Sequence, residues 1–194
     1  MKKNKKLLIL LNDLSFFISH RLSIAEAALT KGYDVVIGYG EHGGADVKLL
    51  WQKGLKVNFI PMHRGSINPL KDIKSFFYIW KFFKKEKPDI AHLVSIKPYL
   101  YGGIISRLTG VPCLVSAISG LGTLFVSKNL KSKLLLSLLY PIFKLTFSHL
   151  NQKVIVQNQD DLMVLVNWGV LKLTKVKILK GSGVNLENFT NLGE

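Results

Sequence analysis

The residues best suited to chemistry lie in two short polar segments, each directly after an apolar run. Lys97 follows the run Ile90–Val94, and the turn Ser119–Gly122 follows the run Cys113–Ile118. Both runs predict buried strands, and the residues between them predict a helix, so the two strands should be parallel neighbours. Parallel sheets bind ligands at the carboxyl ends of their strands. We therefore expect any site to lie at the edge that Lys97 and this turn share.

Each group at this edge has a functional and a structural interpretation. Lys97 could pair with a phosphate or be an ordinary surface lysine, and its position after a strand favours the phosphate. Gly120 and Gly122 either let the backbone approach a ligand or only form the turn. Arg64, in a polar connection, is more simply a solvated loop arginine than a phosphate ligand.

Four more residues are candidates for a site or for the core. His20, near the start of the first predicted long helix, either orients a ligand or caps that helix. Asp13 contacts a ligand hydroxyl or caps a turn, and Phe16 anchors its loop or lines a groove. His92 lies inside an apolar run, which predicts a core histidine with satisfied hydrogen bonds.

The chain lacks the motifs that would favour an ordinary dehydrogenase, a P-loop enzyme or an α/β-hydrolase. The turn Asn12–Phe17 after the first predicted strand contains no G-x-G-x-x-G, and neither a P-loop nor a G-x-S-x-G occurs. The single Cys113 is predicted to be a small core residue rather than a nucleophile. No Cys/His cluster has zinc spacing, and no acidic pair follows a strand, so we predict no metal.

Strands and helices alternate along the chain, which has 194 residues and is 48% hydrophobic. The predicted strands are 6–12, 33–39, 56–61, 90–94, 113–118, 153–156 and 175–179. The predicted helices run from a Ser23-x-x-Glu26 capping box to Gly32, and over 45–52, 69–87, 99–109, 130–150 (kinked at Pro141) and 158–168. Residues 13–19 and 95–98 are predicted to be loops. This order predicts an α/β fold, a Rossmann-like open parallel sheet with helices on both faces, in one domain over residues 1–185 with a tail over 186–194.

The charge is strongly and unevenly positive. The net charge is +15, and no Asp or Glu occurs between Ile90 and Gln159. Residues 71–87 interleave lysines with aromatic residues, a pattern that fits an anionic membrane surface and a merely solvated face about equally. The predicted membrane contacts are Lys74, Phe77, Lys81, Lys84, Lys85, Lys131 and Lys133. Nucleic acid has only the charge in its favour, since no recognised motif accompanies it, so we predict no such partner.

Two segments have to be considered as membrane or export signals. Residues 7–11 form an apolar run after a basic start, but this run is too short for a signal peptide. The uncharged run 108–127 is long enough to span a bilayer, yet glycines and a proline divide it into helix end, strand and loop. We therefore predict a cytoplasmic protein.

Five segments, in chain order, resemble the amino-terminal half of retaining family 4 glycosyltransferases, most of all bacterial enzymes that build lipid-linked surface polysaccharides. The segments are FFISHRLSIAEAALTKGYDV, DIAHLVSIKPYLYGGIISRLTGVP, SAISGLGTLF, VIVQNQDDLMVL and ILKGSGVNLENF. The resemblance implies a GT-B architecture, whose amino-terminal domain binds the acceptor and whose carboxyl-terminal domain binds the nucleotide-sugar. It implies a lipid-linked glycan acceptor and no cofactor besides that donor. The second domain is not found here, so the resemblance implies half an enzyme, inactive alone, that needs a donor-binding domain.

The resemblance also assigns possible site residues and shows two departures. The implied substrate-binding residues are Asp13, Phe16, His20, Lys97, Ser119, Gly120 and Gly122, and none is assigned as catalytic beyond the candidates Ser119 and His20. Many family members have glycines where this chain has Asn12-Asp13. Many also have a sugar-contacting histidine where this chain has Ser119, which can hydrogen-bond a hydroxyl but carries no charge. A different class remains open: a non-catalytic membrane-anchoring scaffold that recruits a separate donor-binding chain.

Overall fold

A seven-stranded, entirely parallel sheet forms the centre of the computed structural model, which describes residues 4–62, 68–121, 125 and 129–181. The strand order is β3-β2-β1-β4-β5-β6-β7. The strands are β1 (Lys6–Asp13), β2 (Asp34–Glu41), β3 (Lys56–Phe59), β4 (Ile90–Val94), β5 (Cys113–Ile118), β6 (Gln152–Val156) and β7 (Val176–Ile178). The central strand β1 is a continuous apolar run because both of its faces are buried.

Helices cover both faces of this sheet, as the sequence predicts. The helices are α1 (Leu14–His20), α2 (Leu22–Thr30), α3 (Val47–Gln52), α4 (Pro69–Glu86), α5 (Ile96–Leu108), α6 (Leu130–Thr146) and α7 (Gln159–Asn167), with a short 3-10 helix at Leu173–Lys175. One core cluster joins the sheet to α1, α2 and α3, and a second joins it to α4, α5, α6 and α7. The fold prediction is confirmed, since all seven strands are parallel and helices pack on both faces of the sheet.

The first predicted loop is in fact helix α1, so that prediction was wrong. The Asp13 side chain ends β1 and accepts hydrogen bonds from the backbone N–H groups of Ser15 (2.9 Å) and Phe16 (3.1 Å). These bonds satisfy donors that a helix start otherwise leaves unpaired. His20 consequently ends α1 rather than beginning a helix, and Ser23 lies inside α2 instead of capping it.

The prediction of a loop over residues 95–98 was also wrong. Helix α5 begins at Ile96, and Pro98 is accommodated in its first turn, where a backbone N–H has no partner within the helix. Helix α6 continues through Pro141 and ends at Thr146, four residues earlier than predicted.

Strands β2 and β3 extend the sheet on one side of β1. The chain then crosses back, and β4 to β7 extend the sheet on the other side of β1, so the strand order reverses there. The carboxyl ends of β1 and β4 therefore flank the crevice in which open α/β sheets bind ligands. Residues that follow these two strands, and those that follow the neighbouring strands β2 and β5, form the candidate site.

Candidate functional site

Four of the predicted site residues follow the ends of three neighbouring strands. Asp13 ends β1, Lys97 comes three residues after β4, and Ser119-Gly120 follow β5. Val94 pairs with Ala117, so the ends of β4 and β5 are level with each other. Adjacent strands lie about 4.8 Å apart, which places these groups along one short stretch of the carboxyl edge.

The β1–α1 turn is held by two interactions of Asp13 and Ser15. The Ser15 hydroxyl donates to Asp13 Oδ1 at 2.6 Å, in addition to the backbone bonds that cap α1. Gly43, in the loop after β2, packs directly on this turn: a Cβ there would collide with Ser15 Oγ and with Asp13 Oδ1. Asp13 therefore has the structural role that the sequence offered as one alternative, and it also fixes the neighbouring loop.

Phe16 and His20 form a pair one turn apart on α1. Their rings stack with centroids 4.2 Å apart and planes 9° apart, and the Ser19 hydroxyl lies 2.7 Å from His20 Nδ1. A seven-residue helix is about 10 Å long, so His20 sits that far from Asp13 and the strand end. The structure does not bring His20 to Lys97 or Ser119 through any contact among the described residues.

Lys97 pairs with Asp72. Its Nζ lies 2.6 Å from Asp72 Oδ1, and both side chains are mostly buried. Asp72 also hydrogen-bonds Tyr101, and burial together with this carboxylate raises the pKa of the Tyr101 hydroxyl. Because Asp72 belongs to the first turn of α4 and Lys97 to the first turn of α5, the pair ties these two helices together at the carboxyl edge. The sequence gives no sign of this pairing, since the two residues are 25 positions apart.

Ser95 adopts a backbone conformation that side chains avoid. It precedes α5 with φ 78° and ψ 163°, and its side chain makes no capping bond to the helix. This region is used almost only by glycine and costs roughly 1–3 kcal/mol for another residue. The strain lies at the end of β4, beside the crevice, and the sequence gives no sign of it.

Replacing Ser95 by glycine is expected to stabilise the protein by about 1 kcal/mol, because relief of strain exceeds the entropic cost of glycine. The free energy of unfolding in urea measures the change. Ser119→Gly is the matched control: Ser119 also follows a strand but has no positive φ, so it should show no gain. Equal changes in both variants would contradict the strain at Ser95.

The turn after β5 is open to solvent. Ser119 is exposed, and Gly120 has φ +142° with no atom of the described residues within 4 Å of the place where a Cβ would stand. The backbone conformation, rather than crowding by described residues, therefore explains this glycine. Gly122, Arg64 and the side chain of Lys131 lie outside the part of the chain that the structure describes.

His92 is a core residue, as predicted, but only one side of its ring is satisfied. It is 6% exposed, and within the described ranges its Nε2 has no hydrogen-bond partner. Burial and the nearby Arg21 charge lower the His92 pKa to about 4, opposed by a hydrogen bond to the Val115 backbone. The ring is therefore neutral near pH 7.

Helices α4 and α6, packed on either side of α5, present a joint apolar and basic surface that we call the α4–α6 surface. Its exposed apolar members are Leu70, Ile73 and Phe77 on α4 and Leu130, Leu134, Leu138 and Leu145 on α6. The exposed lysines beside them are Lys74, Lys81, Lys84, Lys85, Lys133 and Lys144. The α6 leucines recur at intervals of four and seven residues, so they form one stripe along the helix. On α4, two of the six aromatic rings, Phe82 and Phe83, are buried in the core instead.

Neither a bilayer-spanning helix nor a metal-binding group of side chains is found in the described residues. Over those ranges, no helix combines the length and hydropathy needed to cross a membrane. In the same ranges, no three His, Cys, Asp or Glu side chains come together as metal ligands would. The absence of a metal remains a prediction.

A sequence-family model described as glycosyl transferase 4-like matches residues 6–158. The chain belongs to this family. The match includes β1 to β6 and therefore all the strand ends that form the candidate site. The resemblance to family 4 glycosyltransferases that the sequence suggested is confirmed.

Two curated relatives of this glycosyl transferase 4-like chain have names that state an acceptor. The N,N'-diacetylbacillosaminyl-diphospho-undecaprenol alpha-1,3-N-acetylgalactosaminyltransferase of Campylobacter jejuni is 29% identical over 136 residues, which is 70% of this chain and 36% of the relative. The UDP-Gal:alpha-D-GlcNAc-diphosphoundecaprenol alpha-1,3-galactosyltransferase of Escherichia coli is 31% identical over 131 residues, or 68% of this chain and 32% of the relative. The chain thus spans about a third of the length of these relatives.

A solved structure supports the fold. A glycosyltransferase from Rickettsia africae superimposes with a TM-score of 0.61 at 17% identity, covering 97% of this chain and 47% of that one. At this identity the likeness shows the Rossmann-like fold alone.

Proposed function

We propose that these 194 residues form the acceptor-binding domain of a glycosyltransferase that moves a sugar from a nucleotide-sugar to a lipid-linked glycan. The observation that carries this proposal is the pair of relatives, each of which acts on a saccharide linked by diphosphate to undecaprenol. Both align with this chain over about two thirds of its length. The alternative of a non-catalytic scaffold has no comparable observation in its favour.

The carboxyl edge has the chemistry that such an acceptor needs. A diphosphate would compete with Asp72 for the Lys97 ammonium, so Asp72 holds this cation at the edge until the acceptor arrives. Ser119 and the open backbone at Gly120 would contact the saccharide, and Asp13 keeps the adjacent turn in place. The donor would be held by a second, donor-binding domain, so we propose that these residues alone transfer no sugar.

The same proposal places the protein at the inner face of the cytoplasmic membrane as a peripheral protein. The α4–α6 surface supports this placement because lysines outnumber carboxylates beside its exposed apolar residues, and anionic lipid attracts such a surface. Helices α4 and α6 both begin at the carboxyl edge, since each follows a strand. A membrane against these first turns would bring a lipid-linked acceptor to the strand ends.

Binding to undecaprenyl diphosphate disaccharide in nanodiscs tests the proposal. We expect tighter binding than to nanodiscs without the acceptor, and Lys97→Gln should weaken that acceptor-dependent part about tenfold or more, the usual worth of a charge-assisted bond. Lys31→Gln, an exposed lysine at the end of α2, is the control and should bind as the unmodified protein does.

Two results would oppose the proposal. Equal binding with and without the acceptor would favour the scaffold, since a scaffold needs only the membrane. Sugar transfer by these residues alone, from any nucleotide-sugar, would end the claim that they are half of the catalytic unit.

A further inference from the structure

Three aromatic rings gather at the carboxyl ends of β2 and β3, away from Lys97. Tyr39 and Phe59 are register partners on these strands, with ring centroids 5.7 Å apart. His42, just after β2, contacts Tyr39 edge-on at 5.0 Å and lies nearly parallel to Phe59, with centroids 6.1 Å apart and planes 6° apart. The buried Tyr39 therefore supports two rings that share one orientation.

The outer two rings are available to a ligand. Phe59 is 54% exposed, whereas Tyr39 is 4% exposed. His42 is exposed, and the Tyr39 hydroxyl, 3.3 Å from its Nε2, can serve only one of its two ring nitrogens. The cluster thus combines a flat apolar surface with a hydrogen-bonding group at its side.

The cluster is fixed to the rest of the site. The loop that carries His42 includes Gly43, whose backbone packs on Asp13 and Ser15 at the β1–α1 turn. Tyr39 anchors the cluster to the core because its ring is buried, and this burial also raises the pKa of its hydroxyl. A ligand on these rings would therefore meet a surface that is already in place, which lowers the cost of ordering it.

Two of the described carboxylates lie at the same edge of the sheet as the rings. Asp13 and Glu41 are register partners at the ends of β1 and β2, and Glu41 directly precedes His42. Carboxylates repel phosphate and anionic lipid but accept hydrogen bonds from hydroxyl groups. To judge by the described residues of this corner, a neutral polyhydroxylated ligand fits it better than an anionic one.

We propose that the Tyr39–His42–Phe59 cluster is a saccharide subsite, in which the C–H face of a pyranose ring stacks on Phe59 and a hydroxyl bonds to His42. The inference rests on the proposed function for the source of the sugar, a glycan linked to lipid diphosphate. Two strands, β2 and β1, separate β3 from β4, so Phe59 lies about 14 Å from the strand end that precedes Lys97. An oligosaccharide whose diphosphate lies near Lys97 can reach across that distance.

Phe59→Ala is the decisive variant, tested against two lipids in nanodiscs: undecaprenyl diphosphate with a disaccharide, and undecaprenyl diphosphate without sugar. We expect the lipid that carries the disaccharide to bind about tenfold more weakly and the lipid without sugar to bind as before. The reason is that a stacking contact contributes about a factor of ten in affinity. Phe59→Trp keeps an aromatic ring at this position and should bind both lipids as the unmodified protein does. Trp51→Ala, which removes an equally exposed ring at the far end of α3, should have no effect.

Ligand-observed saturation-transfer NMR with free N-acetylglucosamine gives an independent measure. Transfer to the sugar C–H protons should be present in the unmodified protein and in Trp51→Ala, and lost in Phe59→Ala. No transfer in the unmodified protein, or equal losses for both lipids in Phe59→Ala, would overturn the subsite. If neither lipid binds but transfer to the free sugar still depends on Phe59, the proposed function fails and the subsite stands.

Discussion

Replacing Leu134 and Leu138 together by serine should weaken binding to anionic phospholipid vesicles by about a hundredfold or more. The two side chains are 73% and 71% exposed on the outer stripe of α6. Burying a leucine side chain in an apolar medium gains about 1.5–3 kcal/mol, and a factor of ten in affinity corresponds to about 1.4 kcal/mol. The loss of two leucines therefore removes about 3–6 kcal/mol of apolar contribution if both side chains enter the bilayer. Sedimentation of the protein with vesicles of phosphatidylglycerol and phosphatidylethanolamine measures it.

The matched control replaces two exposed leucines that lie outside the α4–α6 surface. Leu150 and Leu179 are 97% and 53% exposed, and Leu150→Ser with Leu179→Ser should leave vesicle binding unchanged. Unfolding temperatures of both double variants should match that of the unmodified protein, because no buried contact is removed. If the α6 variant binds vesicles as well as the control does, α6 does not enter the membrane and its leucines contact another partner.

Acidification should destabilise the fold through His92. Its pKa is lowered to about 4 in the folded protein, against about 6.5 for an unperturbed histidine, so the unfolded chain binds the proton more tightly. The stabilisation is complete above pH 6.5 and is lost as the pH falls towards 4. Linkage predicts a loss of about 2 kcal/mol between pH 7 and pH 5 and about 3 kcal/mol by pH 4.

Urea unfolding at pH 7, 6 and 5 measures this dependence, and His92→Leu isolates the histidine. The variant has no proton to gain, so its free energy of unfolding should change less over this range, by about the 2 kcal/mol assigned to His92. His42→Ala removes an exposed histidine and should keep the full dependence. Parallel pH profiles for His92→Leu and the unmodified protein would show that another group causes the acid sensitivity.

The candidate site shows where sequence reasoning works and where it stops. The carboxyl edge could be predicted because strand ends follow directly from apolar runs such as residues 7–11 and 90–94. The partner of Lys97 could not, since Asp72 lies on a different helix and ion pairs depend on how helices pack. The sequence did not predict the helix over residues 14–20 because Asp13, which caps it, is equally common in a turn. Only the backbone conformation of the residues after Asp13 distinguishes a helix from a turn.

By itself, the sequence determined the α/β class, the number and direction of the strands, and the strongly basic region without acids from residue 90 to 159. Those features depend on hydrophobic periodicity and composition, which act over a few residues at a time. Tertiary structure alone decided the pairing of Lys97 with Asp72, the strained backbone of Ser95 and the meeting of His42 with Phe59. These features join segments far apart in the chain, or impose a dihedral angle from outside, and no local pattern of residues encodes them.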